Sequence, residues 1–413
     1  MPNDQLGVLG SELQRPSDRI GVLGSELPFK VPEYGARLHR TREALASQSL
    51  DALLMFHQES MHYLFGYDQM GYWIYQTAIL PADGRDLTVV CRTIDNDLIN
   101  GLPFVDEIVD WSDDSLSDAA EITVQTLARM GLLDRGQRIG IELRSHALLP
   151  YYYERLREQL GGRCELVDAS DLIAELRLRK SPSEIEYVRK AASALDVGYA
   201  SAFQAIQAGN SEIDVMSAAL QGMFAAGGEA PAIWPPVASG PRTLAWTHSS
   251  ASDRVIQQEE MVQLMLGGSY RRYHAAGVHS KWVGDAPAEI REAYEIMTEA
   301  HLVGMEHAAA GVPIREMAQR INSVLELAGM WVPGQHLGYG TGIGFAPTWV
   351  DNLRIKEHDS HILEQNFVLF PFYRHTVLLE SGPVAIMIGE PILITDNGCE
   401  HLSKHALTLE IDA

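Results

Sequence analysis

The chain changes character near Leu178, and that change limits its possible folds more than any other feature. Before it, short apolar segments alternate with amphipathic ones of helical period. VPEYGARLHRTREALASQS reads as a helix, DALLMF as a strand and GYDQMGYW as a turn-rich stretch. YQTAILPADG and DLTVVCR follow as strands around an Ala-Asp-Gly turn. A helix (SDAAEITVQTLARMG), a strand (RIGIEL), a helix (YYYERLREQLG) and a strand (CELVDAS) complete the run. Alternation of this kind predicts an α/β domain over residues 28–178. Beyond it, Ser181 or Ser183 is placed to cap a helix with Pro182 in its first turn and Glu184 and Glu186 facing the helix dipole. Long helices then mix with strands such as EEMVQLMLGGSYRRYH, FVLFPFYRHTVLL and EPILIT. That order predicts an α+β domain over 179–413. A chain of 413 residues exceeds what one core usually serves, so two domains are expected.

Residues 1–27 stand apart. GVLGSEL occurs at Gly7–Leu13 and again at Gly21–Leu27. Two copies are too few for a solenoid, so the segment is read as a tail without a catalytic role. It lacks a basic start and an apolar run, no stretch reaches about 18 apolar residues, and the three cysteines (Cys91, Cys164, Cys399) are scattered. A cytoplasmic protein without a disulfide framework, membrane span or clustered thiolate site is expected. The net charge of −23 argues against nucleic acid as a partner, because phosphate neutralisation needs clustered Lys and Arg.

LRLRKSPSEIEYVRKAA resembles the interdomain signature of the creatinase, prolidase and aminopeptidase P group, the M24 family. PRTLAWTHSSASDRVIQ, GGSYRRYHAAGVHSKWVG, GYGTGIGFAPTW and EPILITDNGCEHLS follow in that family's order, and VPEYGARLHRTREAL, DALLMF and YLFGYD are similar to its amino-terminal part. GYDQMGYWIYQ, YRRYH and GYGTGIGFAPTW look most like ectoine hydrolases, with creatinases next. The resemblance implies a creatinase-like amino-terminal α/β domain, a pita-bread catalytic domain, a small-molecule substrate, and a homodimer with its site near the subunit boundary.

Prolidase-like members hold two divalent metals with two Asp, one His and two Glu, the anionic set such ions demand. Matched motif by motif, those positions fall on Met265, Ala276, Thr341, Phe372 and Gly389. None carries a carboxylate or an imidazole, so no metal and no other cofactor is expected.

The resemblance makes His248 the acid/base candidate, since creatinases carry their histidine there ahead of a run matching Asp253, Arg254 and Gln257. Read as one strand, YRRYHAAGVHS brings Tyr270, Arg272 and His274 to one face and Arg271, Tyr273 and Ala275 to the other. Tyr273, His274 and His279 are candidates to touch the substrate. Gly338, Gly340, Gly342 and Gly344 read as a turn in which backbone approaches a ligand, Tyr339 and Thr341 offering hydroxyls and Trp349 an aromatic wall. Glu390, the one acid beside the second lost glutamate, is a catalytic candidate placed to hold a cationic substrate nitrogen or steer a histidine. Arg374 and His375 suit a substrate carboxylate. Asp68, Tyr72 and Trp73 lie in a loop similar to the substrate loop of ectoine hydrolases.

Creatinases set glutamates around a guanidinium, and here those positions are Val278 and Gly389; ectoine hydrolases carry an acid where Met265 stands. A less cationic substrate, a different reaction, or a chain that is no longer an enzyme each fit this loss. The leading expectation is metal-independent hydrolysis of a non-peptide C–N bond. A lyase on the same fold, a metal-dependent Xaa-Pro peptidase and a non-catalytic binding protein stand as rivals.

Overall fold

The computed structural model describes residues 27–71, 73–112, 118–134, 136–245 and 249–411. The duplicated tail up to Glu26, Tyr72 and His248 lie outside the described residues. The chain divides into two compact units, the first ending at Ile173 and the second starting at Ala174. The boundary expected after Leu178 thus falls at the end of the helix that crosses this division.

The first unit holds α1 (Val31–Ser47), α2 (Gln58–Phe65), α3 (Asn96–Ile99), α4 (Ala119–Arg129) and α5 (Pro150–Leu160), with α6 (Ser170–Leu178) leading out of it. Its strands are β1 (Ala52–Met55), β2 (Thr77–Pro81), β3 (Leu87–Arg92), β4 (Val105–Trp111), β5 (Arg138–Ile141) and β6 (Glu165–Asp168), ordered β4-β3-β2-β1-β5-β6. The β2–β3 hairpin gives antiparallel pairing, whereas β1, β5 and β6 run parallel through helical crossovers. Leu54, Phe56, Ile79, Ile139 and Leu127 form its core.

The second unit contains α7 (Pro182–Ala205), α8 (Glu212–Ala225), α9 (Ala288–Glu306) and α10 (Ile314–Leu327). Its strands are β7 (Val237–Ser239), β8 (Glu260–Tyr270), β9 (Tyr273–Val283), β10 (Gly338–Phe345), β11 (Thr348–Arg354), β12 (Val368–Leu379), β13 (Gly382–Gly389), β14 (Ile392–Thr395), β15 (Gly398–His401) and β16 (Glu410–Ile411). The main path is β11-β10-β12-β13-β9-β8-β7. α7 begins with a reciprocal capping box between Ser181 and Glu184 and Pro182 in its first turn. Its far end is closed by the buried Lys281, whose Nζ donates to the carbonyls of Phe203 and Ile206 at 3.2 and 3.1 Å.

YRRYHAAGVHS is not one strand. Arg271 and Arg272 form a two-residue hairpin turn with φ of 49° and 67°, and Tyr270 pairs with Tyr273. Hairpin turns of this kind usually advertise themselves with Asn or Gly, so the two arginines gave no turn signal. GYGTGIGF is likewise a strand and not a turn. Its glycines clear space for protein: a Cβ at Gly344 would lie 2.8 Å from Trp349 Cα, and one at Gly342 3.1 Å from Lys180 Cε.

Period-two alternation sorts the sheet into two faces. One packs on the helices, where Tyr373, Ile386, Ile388, Met297 and Ile321 share a core. The other carries Met265, Ala276, Val278, Tyr339, Trp349, Phe370, Phe372 and Met387 as a separate cluster.

Candidate functional site

The second cluster gathers the residues that the family resemblance matches to its metal positions. Met265 on β8, Ala276 on β9 and Phe372 on β12 are members of it, each no more than 6% exposed. Gly389 is the cross-strand partner of Phe372, and Thr341 follows Tyr339 at the same parity on β10. A Cβ at Gly389 would sit 2.4 Å from Phe372 Cβ and 2.6 Å from the Pro371 carbonyl, so no larger side chain enters there while Phe372 stays. A methionine, an alanine, a phenylalanine, a glycine and one hydroxyl supply no anionic donor. The residues present do not fit a pair of divalent cations.

Aromatic rings fill the volume. Phe370 and Phe372 stack at 5.0 Å, and Tyr339 meets both edge-on at 5.5 and 5.6 Å. A Cβ on Gly267 would lie 2.5 Å from the Trp349 ring, so glycine is required beneath the indole. Trp349 Nε1 donates to the Tyr339 hydroxyl at 3.1 Å. That bond leaves the phenol proton available to another acceptor, and burial pushes the Tyr339 pKa up to about 12, keeping the proton in place. The Thr341 hydroxyl is buried and has no hydrogen-bond partner among the described residues.

His274 lies against Trp349, with ring centroids 5.8 Å apart. Its Nδ1 lies 2.9 Å from the Arg272 carbonyl, which accepts only, so Nδ1 carries the proton; Nε2 then accepts from the Ala232 amide at 3.0 Å. Burial pushes its pKa down to about 4. With both nitrogens committed, His274 is a neutral pin that holds the 232–233 segment against the cluster, not a proton carrier.

Arg374 shares the parity of Phe370 and Phe372, is half-buried, and donates to the Leu244 carbonyl at 3.3 Å. His336 was not anticipated from sequence. Its ring faces Phe372 at 5.7 Å and Tyr339 at 5.9 Å, and Nδ1 accepts from the Gly338 amide. Burial, with Lys356 and Arg354 nearby, lowers its pKa to about 4. The one signal that could have found it is position, two residues ahead of the glycine-spaced strand.

Four expected residues are not brought to this face. Tyr273 has the opposite parity to His274; its hydroxyl donates to Glu184 at 2.8 Å and its ring packs on Tyr187 of α7. His279 packs edge-on against Tyr199 at 4.6 Å, also under α7. His375 alternates with Arg374 and shares the parity of Tyr373. Glu390 follows Gly389 and therefore turns to the helix side, where it meets His301 and His401. One step of register flips a side chain through the sheet, which is why adjacency in sequence misled here.

The described residues on either side of 246–248 are held by a buried carboxylate. The buried Glu212 carboxylate accepts from Ser239, Arg242 and Ser252, and Arg242 also donates to the Ser250 carbonyl at 2.6 Å. Arg254 pairs with Glu260 at 2.6 Å. Arg254 therefore builds the loop's base, and Asp253 is exposed. In the first unit, Asp68 and Trp73 are exposed, Trp73 at 62%. A separate cavity of ≈ 600 Å³ beside α9, lined by Tyr294, Leu302, Val303 and Leu409 among others, shares no residue with the cluster. Among the described residues no helix is long and apolar enough to cross a membrane.

Residues 186–396 match the model of metallopeptidase family M24, and residues 37–179 match the creatinase/prolidase N-terminal domain. The chain is 27% identical to the ectoine hydrolase of Halomonas elongata, over 91% of this chain and 96% of that protein. It is 29% identical to a Xaa-Pro dipeptidase of Pyrococcus horikoshii, over 64% of this chain and 73% of that one. The prolidase structure from Thermococcus sibiricus superposes with a TM-score of 0.81 at 21% identity, covering 92% of this chain and 99% of the other. With a creatinase-type first unit and a pita-bread second unit, the chain belongs to metallopeptidase family M24.

Proposed function

We propose that the protein is a metal-independent hydrolase of a non-peptide C–N bond in a small molecule. The observation that carries this reading is the apolar cluster that holds Met265, Ala276 and Phe372, three of the five residues (with Thr341 and Gly389) that the resemblance matches to the metal positions. Similarity to a protein named ectoine hydrolase, over nearly the full length of both, supports a small-molecule substrate over a peptide. Without a dication to polarise the carbonyl, proton transfer and hydrogen bonding supply the acceleration. His248 takes a proton from water as its oxygen bonds to the substrate carbon; the C–N bond then breaks and the imidazolium returns that proton to the leaving nitrogen. Tyr339, oriented by Trp349, and Thr341 donate to the developing oxyanion. The rings of Phe370 and Phe372 receive an uncharged part of the substrate, and Arg374 a carboxylate. The protein works as a cytoplasmic homodimer in which Asp68, Tyr72 and Trp73 reach the neighbouring site; the exposure of Met70 and Trp73 supports this.

The test is chelator-treated full-length protein incubated with small acyl amides, cyclic amidines and ureido compounds, product release being followed by NMR. Turnover should fall by about 10²–10⁴-fold in His248→Ala with an unchanged melting temperature. Intact turnover in that variant, or turnover that appears only with added Mn²⁺, overturns the reading. A second reading, a non-catalytic binding protein, is favoured by the commitment of both His274 nitrogens to backbone; it is distinguished by ligand-induced stabilisation without product.

A further inference from the structure

Behind the sheet, away from the apolar cluster, three ligand-type side chains meet. His301 comes from α9, Glu390 from the residue after β13, and His401 from the end of β15. His301 Nε2 and His401 Nδ1 lie 3.1 and 2.6 Å from the same oxygen, Glu390 Oε1, and the three donor atoms fall within 4.8 Å of one another. We propose that His301, Glu390 and His401 bind a transition-metal cation of the Zn²⁺ class, a site distinct from the one the family uses for catalysis.

Chemistry selects the ion. Two imidazoles and one carboxylate suit Zn²⁺ and its neighbours, whereas Mg²⁺ and Ca²⁺ ask for oxygen-rich sets. Ligand bonds of about 2.0–2.2 Å separate tetrahedral donors by roughly 3.3 Å; the two spacings to Glu390 each lie within an ångström of that, and the two imidazole nitrogens need only close in from within 4.8 Å. Both nitrogens facing Glu390 carry protons when no ion is bound, and the cation replaces them. Access runs past His401, whose side chain is 43% exposed, while His301 and Glu390 are buried. That open side leaves a fourth position for water.

A second observation points to the same place. His301 Nδ1 and the Tyr373 hydroxyl are buried without a hydrogen-bond partner among the described residues, and the two rings meet at 5.7 Å. Uncompensated polar atoms in an otherwise apolar core ask for a partner that the protein does not supply. With Nε2 donating to Glu390, Nδ1 is a bare buried acceptor; an ion on Nε2 moves the ring proton to Nδ1 and turns it into a donor beside the Tyr373 ring. The role is structural: the ion ties α9 to the β14–β15 hairpin, joining residues 100 positions apart in sequence (401 − 301).

The experiment uses full-length, tag-free protein stripped with a chelator and titrated calorimetrically with Zn²⁺, with Co²⁺ absorption as the spectroscopic readout. One equivalent of Zn²⁺ should bind, and His401→Ala should weaken it by at least about 100-fold and abolish the absorption of His-ligated Co²⁺. His401 is half-exposed, so its removal leaves the core intact; Glu390→Gln, a buried change of equal shape, serves as the second variant and should lose the site as well. Absence of Zn²⁺ binding by the parent means that Glu390 is held by the two imidazoles alone and overturns the proposal. One equivalent retained by His401→Ala overturns it equally, since the ion then sits elsewhere.

Discussion

Phe372→Glu returns a carboxylate to a family metal position and exposes what now surrounds it. Phe372 is 4% exposed and packs on Phe370, Tyr339 and His336. Losing the ring costs about 3–5 kcal/mol, the range for removing a buried aromatic, less what the glutamate methylenes recover. The new carboxyl enters an apolar cluster with only Arg374 and the His336 ring as polar neighbours, so burial outweighs them and raises its folded-state pKa above the unfolded value of about 4.3, by up to about 3 units. In that window the folded state binds more protons than the unfolded one, and stability falls as pH rises. With about 1.36 kcal/mol per unit, roughly 3 kcal/mol of further destabilisation develops between pH 5 and pH 7. The variant should thus lose on the order of 5 kcal/mol at pH 7 in urea unfolding, and regain part of it at pH 5. Added Mn²⁺ should give nothing back. A variant as stable as the parent, or one stabilised by Mn²⁺, would show that the anionic cage persists and refute the reasoning.

Asp351 accepts from Lys180 at 3.0 Å and Arg177 at 3.2 Å in the interior; burial would raise its pKa, but the two cations outweigh that and hold it at about 2. Asp351→Asn leaves two buried cations underpaired and should cost about 3–5 kcal/mol in chemical denaturation. Gly267→Ala forces a methyl into the Trp349 ring; a loss of about 1–3 kcal/mol and altered indole fluorescence are expected. His274 is depressed from 6.5 to about 4, so its contribution is fully present above pH 6.5 and lost as pH falls towards 4. That loss is on the order of 3 kcal/mol, and His274→Gln should flatten this limb of the stability–pH curve.

The alternating α/β first unit, the mixed α+β second unit and the helix start at Ser181 were legible in the sequence, because each rests on local pattern. Sidedness was not. Arg271-Arg272 hides a hairpin turn, so the face assigned across Tyr270 and His274 did not survive, and Tyr273 and His279 pack under α7. Glu390 sits one residue from a lost ligand position but on the other face of the sheet. Long-range pairings such as Lys180 with Asp351, and the convergence of His301 with His401, arise only once strands distant in sequence are registered. The glycine-spaced segment carried a true signal of close approach: Trp349 and Lys180 come up against it.

The proposed metal-independent chemistry requires that the apolar cluster around Met265, Ala276 and Phe372 binds no pair of dications. Calorimetric titration of full-length His401→Ala with Mn²⁺ tests this most directly, because that variant lacks the separate His301–Glu390–His401 site. No binding of two equivalents is expected, and turnover should be indifferent to chelator. Two equivalents bound, with activity rising alongside them, would contradict it.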